Sequence, residues 1–263
     1  MTKKKIGLAL SGGGARGFAH VGVLKVFAEH NITFDMAAGT SAGSIIGGAL
    51  ASGMSVDQIA AMAKKTGYLN TMRPSLGFGG LLSSAPMGKF LRRHFPVTRF
   101  EDMPIPFSCV AFDLGKNEPV VLSGSGDLIT SIRASCAVPG IFAPVKDEQE
   151  RRLVDGGVTS VFPVDTVRAM GADIVIGVDL LACGFTSWSQ PRTAVGISIQ
   201  STLALLRALA KTEHRNANLV IEPPIAHLRQ DQIGKREEFI TLGEKAAREK
   251  IDEIKRLIET ANE

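Results

Sequence analysis

The stretch from Phe34 to Gly53 constrains the fold of this chain more than any other part of the sequence. It begins with apolar residues suited to a buried strand, turns sharply through Gly39-Thr40-Ser41-Ala42-Gly43, and continues as a helix of small residues. G-x-S-x-G on a strand-to-helix turn is the pattern of a nucleophile elbow. Glycine is required on both sides because a Cβ at either flank would collide with neighbouring backbone. The motif makes Ser41 a candidate nucleophile, although the same pattern also arises in ordinary glycine-rich loops.

Strand and helix patterns alternate along the chain. Strand-like runs lie at Lys5–Leu10, Phe34–Ala38, Phe107–Leu114, Pro119–Leu122, Leu153–Val154, Ile174–Asp179 and Asn218–Glu222. Helix-like runs lie at Phe18–Glu29, Ser55–Gly67, Asp127–Ala137 and Pro163–Met170, and two more flank the strand at Asn218–Glu222, the last of them running from about Arg236 to the end. This alternation predicts the α/β fold class, with a mostly parallel sheet covered by helices on both faces. The 263 residues contain no linker strong enough to divide them, so we expect one domain over residues 1–263.

The segment from Tyr68 to Phe95 has a weaker pattern than its surroundings. Prolines and glycines are interleaved with the apolar residues Leu76, Phe78 and Leu81, which predicts irregular structure. Two hypotheses fit such a segment: a structural loop packed over the core, or a mobile lid or lipid-facing wall.

A second glycine-rich motif, Ser11-Gly12-Gly13-Gly14-Ala15-Arg16-Gly17, follows the first strand. It satisfies the G-x-G-x-x-G pattern of a dinucleotide site, but Asp35 begins the next strand, whereas the ribose-binding acid should end it. No Lys-Ser or Lys-Thr pair follows, so a phosphate-binding P-loop is excluded. The other hypothesis is an oxyanion hole, in which exposed glycine amides stabilise the charge on a reacting carbonyl oxygen. In a parallel sheet this loop and the serine turn would face one crevice.

A serine nucleophile needs a base, and the sequence offers histidines and one aspartate. His214 or His227 could complete a Ser-Asp-His order, but we expect His214 to be solvent-exposed at a helix end and His227 to lie on a surface loop. His20 is expected to pack or hydrogen-bond within the first helix. Asp155 ends an apolar strand before Gly156-Gly157, and a partly desolvated carboxylate can take the proton directly. An ordinary Asp-Gly turn is the alternative reading of this site.

Composition narrows the classes of partner. The net charge is +4 and the pI is near 9.0, without the dense basic stripe of a nucleic-acid binder, so no nucleic acid is expected. Cys109, Cys136 and Cys183 form no C-x-x-C pair, which argues against a zinc site and favours a reducing cytoplasm. The basic run at residues 3–5 precedes only a short strand, so no signal peptide or membrane span is expected. Neither a metal nor another cofactor is predicted, in line with the lack of an acidic calcium-loop pattern.

Together, three motifs resemble those of the patatin-like phospholipases, most closely the small bacterial members. They are Gly12–Gly17, Gly39–Gly43 and Asp155–Gly157, in that order, and the segment from Arg133 to Pro139 also resembles that group. The resemblance covers roughly residues 5–200, with the C-terminal helices of about 194–263 expected to pack on the same domain. It implies a three-layer α/β/α fold with a mostly parallel central sheet.

The resemblance also implies roles for individual residues. Ser41 is the nucleophile and Asp155 the general base of a catalytic dyad, with no histidine in the catalytic set. The oxyanion-hole motif comprises Gly12, Gly13, Gly14, Arg16 and Gly17, in which the amides of the first three glycines are the donors and Arg16 helps to hold the loop. The flanking motif glycines are Gly39, Gly43, Gly156 and Gly157.

These observations predict a serine esterase or phospholipase that hydrolyses phospholipid, lysophospholipid or related fatty acyl esters. Two other hypotheses are a Rossmann-type nucleotide-binding protein and a regulatory protein that keeps the fold with little turnover. The expected location is cytoplasmic. A peripheral contact with the inner face of the membrane would use the apolar residues of Leu76–Leu82 or the loop around Trp188.

Overall fold

A computed structural model of the chain describes residues 4–75, 77, 79–186 and 192–262. Its strands are β1 (Ile6–Leu10), β2 (Met36–Thr40), β3 (Arg73–Pro74), β4 (Leu82–Ser83), β5 (Phe107–Asp113), β6 (Glu118–Ser123), β7 (Val145–Lys146), β8 (Arg152–Asp155), β9 (Ile174–Val178) and β10 (Leu219–Ile221). Its helices are α1 (Phe18–Glu29), α2 (Ala42–Ala51), α3 (Val56–Lys65), α4 (Tyr68–Thr71), α5 (Ala85–His94), α6 (Leu128–Ser135), α7 (Val164–Ala169), α8 (Ala194–Glu213) and α9 (Arg236–Asn262).

The central sheet is mostly parallel, and it confirms the predicted α/β class. Strands β10, β9, β1, β2 and β5 are neighbours in that order and run parallel. Strands β6, β7 and β8 complete the sheet with antiparallel pairings, while β3 and β4 form a separate hairpin. Strands β1, β2 and β9 are buried along their whole length, which explains their continuous apolar or small-residue runs.

Two hydrophobic cores lie on the two faces of this sheet. Alternate residues of β1 point to opposite faces: Leu8 and Leu10 belong to the larger core, and Ala9 belongs to the smaller one. Helices α1, α2, α3, α5, α6 and α9 contribute to the larger core, whereas α7 contributes to the smaller one. Helices therefore cover both faces, as a three-layer α/β/α architecture requires.

Strand β5 determines how the carboxyl ends of two other strands meet. One edge of β5 pairs with β6 along most of its length. The other edge is shared, because β2 runs parallel to Phe107–Val110 and β8 runs antiparallel to Ala111–Asp113. Since a strand has only two edges, β2 and β8 must lie end to end along β5.

The meeting point of β2 and β8 lies at the middle of β5. Thr40, the last residue of β2, is opposite Val110, and Asp155, the last residue of β8, is opposite Ala111. Ser41 follows Thr40 directly. The head-to-head arrangement therefore brings Ser41 and Asp155 together, although 114 positions separate them in the sequence.

The C-terminal helix α9 packs lengthwise against α1. A Cβ on Gly22 of α1 would lie 2.0 Å from the carbonyl oxygen of Ile240, and one on Gly243 of α9 would lie 2.1 Å from that of Ala19. The apolar side of α9 faces the core, where Ala247 and Ile254 are buried. Within the described residues, no helix combines the length and apolar character needed to span a bilayer.

The region of residues 68–95 is more regular than the sequence pattern predicts. It holds α4, the β3–β4 hairpin and the ten-residue helix α5, so the prediction of irregular structure is wrong for its second half. Proline usually indicates a break in a helix, and this led to the wrong prediction. In α5 the proline lies in the first turn, where the missing N–H is tolerated. Leu76, Phe78 and Trp188 lie outside the described residues, and the lid remains a prediction.

Candidate active site

Ser41 occupies a strained turn between β2 and α2. Its backbone angles are φ 52° and ψ −123°, which a residue with a side chain rarely adopts. A Cβ on Gly39 would lie 2.3 Å from the Gly43 carbonyl oxygen, and one on Gly43 would lie 2.1 Å from that of Leu10. The expected collision at both flanks is therefore confirmed. The turn presents a serine at the amino end of a helix packed tightly on the sheet.

The carboxyl end of α6 holds both Ser41 and Asp155. The Ser41 amide donates to Ser135 Oγ (2.9 Å), and the Asp155 amide donates to the Ala137 carbonyl (3.0 Å). Between them, Cys136 lies against both groups, and burial raises the pKa of its thiol. The sequence indicated this segment only through the family resemblance, because a serine at a helix end carries no pattern of its own.

Asp155 is a buried carboxylate in contact with the serine. Its side chain accepts the Gly157 amide (2.8 Å), and the residue is only 6% exposed. Burial raises the pKa of Asp155 to about 6, and the nearby Ser41 hydroxyl and the hydrogen bond from the Gly157 amide oppose part of that rise. Close approach to β5 depends on Gly156, where a Cβ would lie 2.3 Å from the Val110 carbonyl oxygen. A carboxylate in these surroundings can hold a proton near neutral pH.

The glycine loop begins beside Ser41 and contains two amides that are free to donate. Gly12 lies close to the serine, since a Cβ there would be 3.2 Å from that of Ser41. The Gly12 amide, however, already donates to the Val161 carbonyl (2.8 Å), so it is no oxyanion donor in this conformation. Among the described residues, the amides of Gly13 and Gly14 have no acceptor. The candidate donors are therefore these two rather than all three glycines.

Arg16 and Gly17 support the loop from behind. The Arg16 guanidinium is fully buried and donates to the carbonyls of Leu180, Gly184 and Leu228 at 2.8–3.0 Å. Gly17 lets the loop approach α2, because its Cβ would lie 2.6 Å from that of Ala42. Both residues therefore position the glycine loop and contact neither Ser41 nor Asp155 through a hydrogen bond.

The sequence model of the patatin-like phospholipase family matches residues 8–168, which include all three motifs and more than half of the chain. The chain belongs to the patatin-like phospholipase family. A crystal structure of VipD from Legionella pneumophila shares the fold, with a TM-score of 0.54 at 14% identity over 96% of this chain and 67% of that one.

Curated relatives extend the likeness beyond the family match. An uncharacterized NTE family protein of Mycobacterium tuberculosis is 35% identical over 182 residues, which are 68% of this chain and 50% of that protein. A lysophospholipase of Neurospora crassa is 28% identical over 285 residues, which are 96% of this chain and 18% of that protein. The patatin-like chain thus spans half or less of the length of these relatives.

The candidate histidines of this patatin-like chain form hydrogen bonds to groups other than Ser41 and Asp155. His20 is buried and donates to the Ser11 carbonyl (2.9 Å), and burial lowers the pKa of its imidazole to about 4, so the predicted structural role is confirmed. His227 is exposed and contacts Glu238 (3.1 Å), as expected of a surface residue.

The prediction of a solvent-exposed His214 is wrong. Its ring donates to the fully buried carboxylate of Asp179 (2.7 Å), and this hydrogen bond raises the pKa of the imidazole. The polar residues at the end of α8 led to the prediction of exposure. The structure differs because His214 hydrogen-bonds to Asp179, a buried residue that directly follows β9. Even so, His214 bonds to neither Ser41 nor Asp155.

The nucleotide-binding alternative finds no matching geometry. Asp35 accepts the amide of Ile6 at the start of β1 (2.8 Å), so it lies at the sheet edge opposite the glycine loop. A ribose-binding acid would have to lie on the same edge as that loop. Among the described residues, no three His, Cys, Asp or Glu side chains gather as metal ligands would.

Proposed function

We propose that this chain is a serine acyl hydrolase that cleaves ester bonds of phospholipids, lysophospholipids or related fatty acyl esters. The observation that carries the proposal is the contact between the strained Ser41 and the buried Asp155, whose raised pKa makes it a stronger base. The lysophospholipase name of the Neurospora crassa relative supports a lipid substrate.

In the proposed reaction, Ser41 Oγ attacks the ester carbonyl while Asp155 accepts the hydroxyl proton. The negative charge on the carbonyl oxygen is stabilised by the amides of Gly13 and Gly14, each by about 3 kcal/mol. Asp155 then passes the proton to the departing alcohol, which leaves an acyl ester on Ser41. A water molecule, activated by the same carboxylate, releases the fatty acid and restores the serine.

The dyad is tested by Ser41→Ala and Asp155→Asn, assayed on a short acyl ester. We expect each variant to lose at least on the order of 10³-fold in kcat/KM, because nucleophile and base act as one unit. Wild-type protein should be labelled at Ser41 by a fluorophosphonate, and Ser41→Ala should not. Wild-type turnover in either variant would disprove the mechanism, while labelling without any ester turnover would favour a regulatory protein on this fold.

We also propose that the chain works against an anionic lipid surface through two exposed apolar positions beside the site. Leu69, the more exposed of them at 96%, follows Tyr68, whose hydroxyl donates to the Asp231 carbonyl. The preceding carbonyl, that of Gln230, accepts the Ala15 amide (2.8 Å). Leu69 therefore lies on the side of the glycine loop.

The second position, Leu205, lies on the side of the base and is 71% exposed. The next residue of α8, Leu206, would be 3.5 Å from a Cβ on Gly157, beside Asp155. Residues 180–212 contain three basic side chains and no Asp or Glu. Apolar side chains with basic neighbours and no acid suit the headgroup region of an anionic bilayer.

Vesicle flotation tests this surface. Wild-type protein should float with phosphatidylglycerol vesicles, and Leu69→Glu and Leu205→Glu should each weaken binding roughly thirtyfold, since one buried leucine contributes about 2 kcal/mol. Val121→Glu, at an exposed position of β6, is the matched control and should bind as the wild type does. Wild-type protein that stays in the soluble fraction, or a dimer that Leu205→Glu dissociates, would contradict the proposal.

A further inference from the structure

The segment of residues 160–162, which follows the Asp155 turn, is hydrogen-bonded to the chain neighbours of both members of the proposed dyad. The Ser160 amide donates to the Gly156 carbonyl (2.9 Å), and the Ser160 carbonyl accepts from Thr40 Oγ1 (2.9 Å). Gly156 and Thr40 are the chain neighbours of the base and the nucleophile. A displacement of this segment would therefore change the separation of the two reacting groups.

The same segment also holds the glycine loop. The Val161 carbonyl accepts the Gly12 amide (2.8 Å), and Val161 Cγ2 would be 3.2 Å from a Cβ on Gly12. Segment 160–162 thus bonds to the elbow, to the base turn and to the candidate oxyanion loop. It sets the mutual position of all three.

Glu213 binds this segment at both of its ends. One carboxylate oxygen accepts from Ser160 Oγ (2.5 Å) and the other accepts the Phe162 amide (2.9 Å). Glu213 is the last residue of α8, is 8% exposed, and lies outside the matched residues 8–168. The two hydrogen bonds fix the direction of the segment relative to the end of α8.

The surroundings of Glu213 make its carboxylate costly to ionise. Burial, with a smaller contribution from the charges of Asp165 and Asp179, raises its pKa to about 7, and the hydrogen bonds from Ser160 and the Phe162 amide oppose part of that rise. Its chain neighbour His214 is engaged with Asp179. Described residues place no Lys or Arg in an ion pair with Glu213. Its contribution therefore comes from the two hydrogen bonds rather than from charge pairing.

We propose that Glu213 is a positioning residue for the Ser41–Asp155 pair, acting through segment 160–162. The inference rests on the proposed function, because it presupposes that Ser41 reacts with Asp155 as its base. Glu213 touches neither group and holds the backbone that carries their neighbours. Glutamine can keep both contacts, by accepting the Phe162 amide and donating to Ser160 Oγ, whereas alanine removes both.

The test compares Glu213→Ala and Glu213→Gln in the full chain. The readouts are kcat and KM on a short acyl ester, and the rate of fluorophosphonate labelling of Ser41. We expect Glu213→Ala to lower kcat and the labelling rate by roughly 10- to 100-fold with little change in KM, because a displacement of about 1 Å can cost that much. Glu213→Gln should recover most of the wild-type rate.

The matched control is Ile254→Ala, which opens a cavity in α9 far along the chain from this segment. If Ile254→Ala lowers the melting temperature as much as Glu213→Ala does and reduces labelling equally, the inference is wrong. If Glu213→Ala does not fold, Ser160→Ala decides, since it removes one hydrogen bond and leaves the backbone contacts intact. A wild-type labelling rate in Ser160→Ala would then overturn the inference, and a several-fold loss would support it.

The two proposals fail in different ways. A wild-type protein that neither turns over esters nor is labelled at Ser41 contradicts the proposed function. An active wild type whose Glu213→Ala variant matches Ile254→Ala contradicts only the positioning role.

Discussion

Asp155 combines two properties that a histidine-free hydrolase needs in its base. It is buried, so ionisation is costly and the carboxylate holds protons more strongly, and it accepts hydrogen bonds that stop its pKa from rising further. The Gly157 amide fixes one oxygen of the carboxylate, which orients the group toward the serine turn.

The pKa of Asp155 predicts the acid limb of the activity profile. The carboxylate accepts a proton only when ionised, so kcat/KM should fall about tenfold for each pH unit below a pKa of about 6 and level off above it. Steady-state rates on a short acyl ester from pH 4.5 to 8.5 measure this limb. The same profile is measured on Glu213→Gln, because Glu213 is a buried acid whose pKa is also raised. A limb that disappears in that variant would assign the titration to Glu213 instead.

The strain at Ser41 predicts a stability difference between two inactive variants. Alanine and glycine both lack the hydroxyl, but only glycine adopts φ 52° without steric cost. Ser41→Gly should therefore be more stable than Ser41→Ala by about 1 kcal/mol in urea unfolding. Equal stabilities would show that the surrounding turn, and not the residue, absorbs the strain.

Helix α2 and strand β1 approach each other so closely that the elbow depends on their contact. Gly43 lies against the backbone of Leu10, which cannot move aside, whereas a Cβ on Gly47 of the same helix would lie 3.0 Å from the ring of Phe107, a side chain rather than backbone. A side chain should therefore be tolerated less well at Gly43 than at Gly47.

Substitutions within α2 should differ accordingly. Gly43→Ala should lower the free energy of unfolding by about 3 kcal/mol, because a Cβ 2.1 Å from a carbonyl oxygen forces the helix away from the sheet. Gly47→Ala is the matched control, and its gain in helix propensity of about 1 kcal/mol offsets its milder contact. Urea unfolding of both proteins measures the difference, and equal free energies would contradict the packing argument.

The C-terminal third of the chain, which lies beyond the family match, contacts and supports the elements that form the candidate site. Arg16 buries its charge against the Leu228 carbonyl, Ala15 bonds to Gln230, and α9 covers the face of α1. Glu213 adds a further contact from the end of α8.

A chain ending at Thr186 should therefore fail to fold, although it retains the whole matched region. Loss of the segment around Leu228 leaves the buried Arg16 guanidinium without one acceptor, and loss of α9 exposes the apolar face of α1. Circular dichroism during urea titration should show no cooperative transition, and Ser41 should not be labelled by a fluorophosphonate. A cooperative transition with a reactive serine would show that residues 5–186 suffice.

The parts of the site that sequence predicted correctly depend on short-range sterics. The close packing at Gly39 and Gly43 and the glycine loop after β1 both follow from a few adjacent residues, and the structure contains each of them. The roles assigned to Ser41 and Asp155 stay predictions until the variants are measured.

The amino-acid sequence alone determined the elements, the order of the motifs and the candidate nucleophile, because backbone geometry within a few residues decides them. Only the tertiary structure decided that β2 and β8 lie end to end on β5, that the Gly12 amide is already used, and that Glu213 binds the segment behind the dyad. Sheet register and buried hydrogen bonds join residues that are distant in the sequence, such as Ala111 with Asp155 and Thr40 with Ser160, and no local pattern carries that information.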